Sequence, residues 1–146
     1  MPVTRLSEPA GLPSDLVWRM AGSEVGSWRW EGDDLLLRLA VGAVHGTLDA
    51  GHAPTDGHLL PLWVRCEGVA ASVALPEHGG ALGDGQVDLG DHVLRELPVP
   101  GAVTAPEGGE LCLTLTWRQG MHAALRCRAV KVVPDASSRL IESWAC

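Results

Sequence analysis

The chain has 146 residues, enough for one domain that buries about 70% of its unfolded surface without help from metals or disulfides. Eleven Lys+Arg against eighteen Asp+Glu give a formal net charge of −7 with no basic run, which argues against phosphate backbones and anionic membrane surfaces as partners. An apolar share of 46% excludes a disordered chain, and no stretch approaches the roughly 18 uncharged apolar residues of a membrane helix.

The opening residues, Met1-Pro2-Val3-Thr4-Arg5, run into Glu8, Pro9, Gly11, Pro13 and Asp15 with no apolar run behind them. That is not a secretory signal, so the expected address is the cytoplasm. Four cysteines, Cys66, Cys112, Cys127 and Cys146, show neither CxxC nor a zinc spacing, and reduced thiols are expected. Absent Tyr and Phe and a single lysine, Lys131, against ten arginines read as the codon bias of a GC-rich bacterial genome.

Eighteen Gly and ten Pro punctuate short runs of Val, Leu, Ala and Thr, and no window keeps an apolar 3.6 period at helical length. The predicted fold is therefore all-β, an antiparallel β-sandwich of consecutive hairpins, with a jelly roll or open barrel as alternatives. It spans residues 1–146 as one domain. Residues 1–20 read as an irregular N-terminal arm anchored by Leu16, Val17 and Trp18.

The first hairpin joins Val25–Glu31 to Asp34–Val41 through Gly32-Asp33, with Gly where a type II′ turn needs it. Trp30 then faces Leu35 and Trp28 faces Leu37, with Leu39 on the same core side. Ser27, Arg29, Leu36 and Arg38 share the other face. The aliphatic neighbours of Trp28 and Trp30 point to core packing for that pair.

Residues 43–58, AVHGTLDAGHAPTDGH, read as a long Gly- and Pro-rich connection. It holds His45, His52 and His58 with Asp49 and Asp56. Imidazoles and carboxylates suit zinc, iron or manganese, so His45, His52, His58 and Asp56 are the candidate metal ligands, although their spacing matches no metal signature. The bland alternative is a hydrated loop with incidental histidines.

A second hairpin pairs Leu59–Cys66 with Val69–Leu75 through Glu67-Gly68, placing Trp63 and Arg65 together on the face away from Leu62 and Val64. Pro61 lacks an amide donor, which suggests a strand at or near an edge. Trp63 and Arg65 are the candidate partner- or ligand-binding residues. If their face is open they make a contact patch, and if a second sheet covers it Trp63 is core. Residues 79–85, GGALGDG, hold no Lys and lead into no helix, so they read as a strand connection rather than a phosphate loop.

A third hairpin, Gln86–Leu89 with His92–Leu97, turns on Gly90-Asp91 and sets Val93 on the polar side opposite Asp88. In the fourth, a two-residue loop would set Leu111 and Leu113 against Arg128 and Arg126. A three-residue loop, Arg118-Gln119-Gly120, instead pairs Leu113 with Leu125, Leu115 with Ala123 and Leu111 with Cys127. Gly120 then fills the left-handed position of a type I turn with a G1 bulge. This register puts Cys112 and Cys127 on opposite faces, so they do not pair. Arg139–Cys146 reads as a last strand with Leu140 and Trp144 buried.

Trp28-Arg29-Trp30-Glu31-Gly32 with Leu35-x-Leu37-Arg38-Leu39, and the close Glu142-Ser143-x-Ala145-Cys146, resemble small bacterial all-β proteins of unknown function. That resemblance implies a compact β fold ending in a docked strand, and carries no site residues. The chain has no GxSxG elbow, and its serines have no recognisable catalytic partner. The expected function is a non-enzymatic binding domain with a protein partner or a second copy of itself. A metal-binding protein using the histidines and a small acidic immunity- or inhibitor-type protein are the alternatives.

Overall fold

The computed structural model describes residues 11–48, 53–70 and 74–142, and these hold twelve strands and no helix. β1 (Val17–Glu31) and β2 (Asp34–Gly46) form a long hairpin in the expected register, Trp30 opposite Leu35 and Trp28 opposite Leu37. Gly32 supplies the positive φ, +63°, that the reversal demands. β1 begins at Val17, so the N-terminal arm is shorter than expected. Leu16 and Trp18 are fully buried, which draws the chain into the sheet four residues early.

β3 (Thr55–Leu60) and β4 (Leu62–Glu67) lie end to end along β2, interrupted at Pro61. Pro61 is not in an edge strand: β3 lies one strand in from β12, and β4 lies between β2 and β11. Proline's missing donor is accommodated by a break in the strand, the other position where a sheet tolerates it. The 59–66/69–75 hairpin is also replaced. β4 pairs with β2 on one side and with β11 (Ala129–Val133) on the other, while Val69 N and Ala70 N donate to Asp33 O and Arg126 O. Any antiparallel neighbour satisfies the period-two burial of β4, so alternation fixed its face and not its partner.

β5 (Gly80–Asp88) takes in most of the glycine stretch expected to be a connection. It pairs with β6 (Val93–Leu94) in the expected register, Asp88 opposite Val93, and Val93 is exposed as that register requires. β7 (Glu96–Pro98) pairs with the start of β1, and β8 (Gly101–Thr104) with β11. β9 (Leu111–Trp117) and β10 (His122–Cys127) adopt the three-residue loop: Leu113 faces Leu125, Leu115 faces Ala123 and Leu111 faces Cys127. Gly120 has φ +97°, and Trp117 N donates to Met121 O at 2.7 Å across the bulge. Cys112 is half-buried and Cys127 fully buried, on opposite faces. β12 (Arg139–Glu142) docks on β3 with Leu140 packed against the core, and Trp144 lies outside the described residues.

All strands belong to one antiparallel sheet, ordered β10-β9-β5-β1-β2-β4-β11-β8, which stays open and does not close into a barrel. One apolar cluster joins Leu82, Val87, Leu113, Leu115 and Leu125 to Leu35, Leu37, Leu62, Val64 and Val130. The sheet therefore folds over itself, and its two layers are halves of one sheet joined through β1. Where the halves approach, Gly85 leaves room for Met20: a Cβ there would stand 2.5 Å from the Met20 Cβ. Register shifts between Arg19 and Ser27 bend β1. Ser23 satisfies that bend, accepting from Trp18 Nε1 at 2.8 Å and Ala43 N at 3.0 Å while donating to Arg19 O at 2.9 Å.

Candidate functional site

The outer face of β1, β2, β4 and β11 carries the densest group of polar side chains. The pairings Arg29–Leu36, Leu36–Arg65 and Arg65–Lys131 form one row across it, and Arg38–Trp63 and Trp63–Val133 the next. Trp63 is half-buried, neither core nor free. Its indole N–H donates to Asp135 Oδ2 at 2.7 Å, and the Arg29 and Arg38 guanidiniums lie 5.8 Å and 6.0 Å from its ring centroid. Both are within cation–π range. Arg38 has no carboxylate partner among the described residues, so this contact is what holds it.

Arg65 is fixed more firmly. Its Nη2 lies 2.8 Å from Asp34 Oδ2 and its Nη1 3.0 Å from Glu31 Oε1. Asp34 also accepts from Gly68 N at 2.9 Å. Hydrogen bonding to Arg65 holds the Glu31 carboxyl below its usual range. Burial works to raise Asp34, but the Gly68 amide and Arg65 outweigh it and the net shift is downward. Asp135 behaves alike: burial opposes its charge, while Ser137, Trp63 and Ser138 overcome that and lower it. Lys131 reaches Glu67 at 3.0 Å and Arg29 reaches Glu31 at 2.9 Å. Arg29 still exposes 50% of its side chain and Lys131 45%, so no second layer of the described residues covers this face. Leu36 is buried here outside the main core, beneath the long polar side chains.

Trp63 and Arg65 thus share a face as expected. Alternation already set Arg29 and Arg38 on one face of the first hairpin; the β2–β4 pairing that brings them to Trp63 joins distant segments and leaves no local signal. Asp135 has none either. Trp28 and Trp30 depart from the core expectation. Trp28 is half-buried against the core, its indole directed at Pro76 O, and Trp30 is 40% exposed because it sits at the hairpin tip, beyond the reach of the opposite layer.

Half of the supposed loop 43–58 is strand, since β2 runs to Gly46 and β3 starts at Thr55. His45 pairs with Asp56 across the ladder, Nδ1 to Oδ1 at 2.8 Å, and His58 follows two residues on along the same face. His52 and Asp49 lie outside the described residues. Among the described residues no three His, Cys, Asp or Glu side chains converge as a metal site. The Asp56 oxygen that meets His45 also binds Arg19 Nη1 at 3.0 Å, and Arg19 Nε reaches Glu96 at 3.1 Å. A guanidinium therefore shares one oxygen of the carboxylate a metal would need. Comparison of the chain with family models, curated proteins and solved structures gives no match.

Proposed function

We propose that this chain is a non-enzymatic binding domain of the bacterial cytoplasm that engages a protein partner, or a second copy of itself, through the face centred on Trp63, Arg38 and Arg65. One observation carries the reading: an indole tethered through its N–H and flanked by two guanidiniums lies on a sheet face open to solvent. Trp and Arg dominate the energetics of protein interfaces, and side chains fixed in advance lose little entropy on binding. Cations and carboxylates alternate across the face. That suits a protein surface of mixed charge, and the net charge of −7 disfavours nucleic acid and anionic membranes. A small acidic inhibitor-type protein is a special case of the same reading. A transition-metal protein has the His45–Asp56 contact in its favour and Arg19 against it.

The test is complex formation followed by light scattering and crosslinking, for the wild type and for Arg38→Glu. The reading expects a self-complex, or a captured partner, that Arg38→Glu loses while keeping the circular dichroism of the fold. A wild-type monomer whose captured proteins are the same as those of Arg38→Glu overturns it.

A further inference from the structure

Cys66 is on β4 and Cys127 closes β10, strands from the two halves of the folded sheet. Two backbone bonds clamp those strand ends together: Arg128 N donates to Glu67 O at 2.8 Å and Ala70 N to Arg126 O at 2.9 Å. The clamp turns both side chains into the same core, where each is fully buried and carries a free thiol. The neighbouring Cys127, with burial, pushes the Cys66 thiol well above its ordinary range. Backbone bonds at the residues beside each cysteine, and not a turn of adjacent sequence, place these two core thiols as neighbours between the halves of the sheet.

We propose that Cys66 and Cys127 are a dithiol that a small disulfide, such as oxidised glutathione, converts to an intramolecular disulfide stapling β4 to β10. Cys127 Sγ, after losing its proton to water, attacks one sulfur of the reagent. The reagent's S–S bond breaks, and one thiolate leaves with the electron pair and takes up a proton. Cys66 then deprotonates and attacks Cys127 Sγ in the mixed disulfide, expelling the second thiolate. Two protein thiols are oxidised by two electrons, and one reagent disulfide is reduced to two thiols. Both protein sulfurs are buried, so the reaction runs from a local opening of the backbone clamp and is slow beside that of an exposed thiol.

The staple links residues far apart in the chain and constrains the unfolded state strongly, raising Tm by roughly 10 °C. It also fixes the strand that carries Trp63 and Arg65, yet it rests on the placement of the two cysteines and stands whether or not that face binds a partner.

The double variant Cys112→Ser/Cys146→Ser, folded and incubated with oxidised glutathione, tests the proposal by intact mass, peptide mapping and thermal denaturation. Expected are the loss of two hydrogens, a Cys66–Cys127 peptide pair, and a Tm rise that a reductant reverses. Adding Cys127→Ser to the same background removes the mass loss. Unchanged thiols, a lasting glutathione adduct, or a disulfide-linked dimer overturns it.

Discussion

Trp63 and Asp135, on β4 and in the loop after β11, are joined by an indole-to-carboxylate hydrogen bond of 2.7 Å. The same carboxylate accepts from the Ser137 amide at 2.8 Å, so one aspartate ties the loop to the ring. Asp135→Ala removes both partners. The expected outcome is a displaced Trp63 indole resonance in a ¹H–¹⁵N spectrum, and a stability loss of about 1–3 kcal/mol by urea denaturation.

Glu31, Asp34 and Asp135 all have folded pKa values below their ordinary ones. Below about pH 4, where unfolded carboxyls gain protons, the unfolded chain binds more of them than the folded chain. Their contribution is thus full at neutral pH and lost as pH falls through the lowered folded values. Thermal denaturation between pH 7 and pH 2 should show Tm falling below about pH 4. Arg65→Met, which removes the partner of Glu31 and Asp34, should lower Tm at pH 7 and flatten that fall.

Ser23 is the one fully buried polar side chain among the described residues, and it serves two donors at the bend of β1. Ser23→Ala leaves the Trp18 indole and the Ala43 amide without an acceptor. A destabilisation of roughly 1–3 kcal/mol is expected, measurable by urea denaturation. A change within a few tenths of a kcal/mol, the range of an ordinary surface site, would show that the bend finds other partners.

Gly85→Ala forces a methyl against the Met20 Cβ and Sδ, at 2.5 Å and 2.9 Å. Overpacking of this kind costs about 1–3 kcal/mol. Met20→Ala keeps the Cβ that makes the closest contact, so the double variant should recover little of the loss. A double-mutant cycle on chemical denaturation reads the coupling directly.

Zinc or nickel added to the purified protein and then dialysed away should leave well under one equivalent bound, because Arg19 already holds Asp56. Stoichiometric metal that His45→Ala abolishes would restore the metal-binding reading.

Three hairpins were legible because their information is local. Gly32, Gly90 and Gly120 stand where positive φ is needed, and in the first and fourth hairpins the flanking Leu and Trp pattern accepts one register. The choice of three loop residues before Met121 followed from the cost of setting Leu113 against Arg126. The partners of β4 were not legible. Val64 and Leu62 are equally satisfied by any apolar neighbour, and β11, with β8 beyond it, was not foreseen as its companion. The site suffered accordingly. Trp63 and Arg65 could be named from alternation, but Arg29, Arg38 and Asp135 reach them only through contacts between distant segments. Of the candidate metal ligands, strand pairing joins His45 to Asp56 and sets His58 two residues on along the same face, while His52 lies outside the described residues.

β1 holds the only strand pairing between the β5-β9-β10 half and the remainder of the sheet among the described residues, through Glu24–Ala81 and Val25–Gly80. Without that seam the halves would be left with their shared core and the bonds of Glu67 and Ala70 to Arg128 and Arg126. Amide protons along the middle of β1 should thus exchange only when the whole domain comes apart, and a cut or a proline there should dissolve both halves at once.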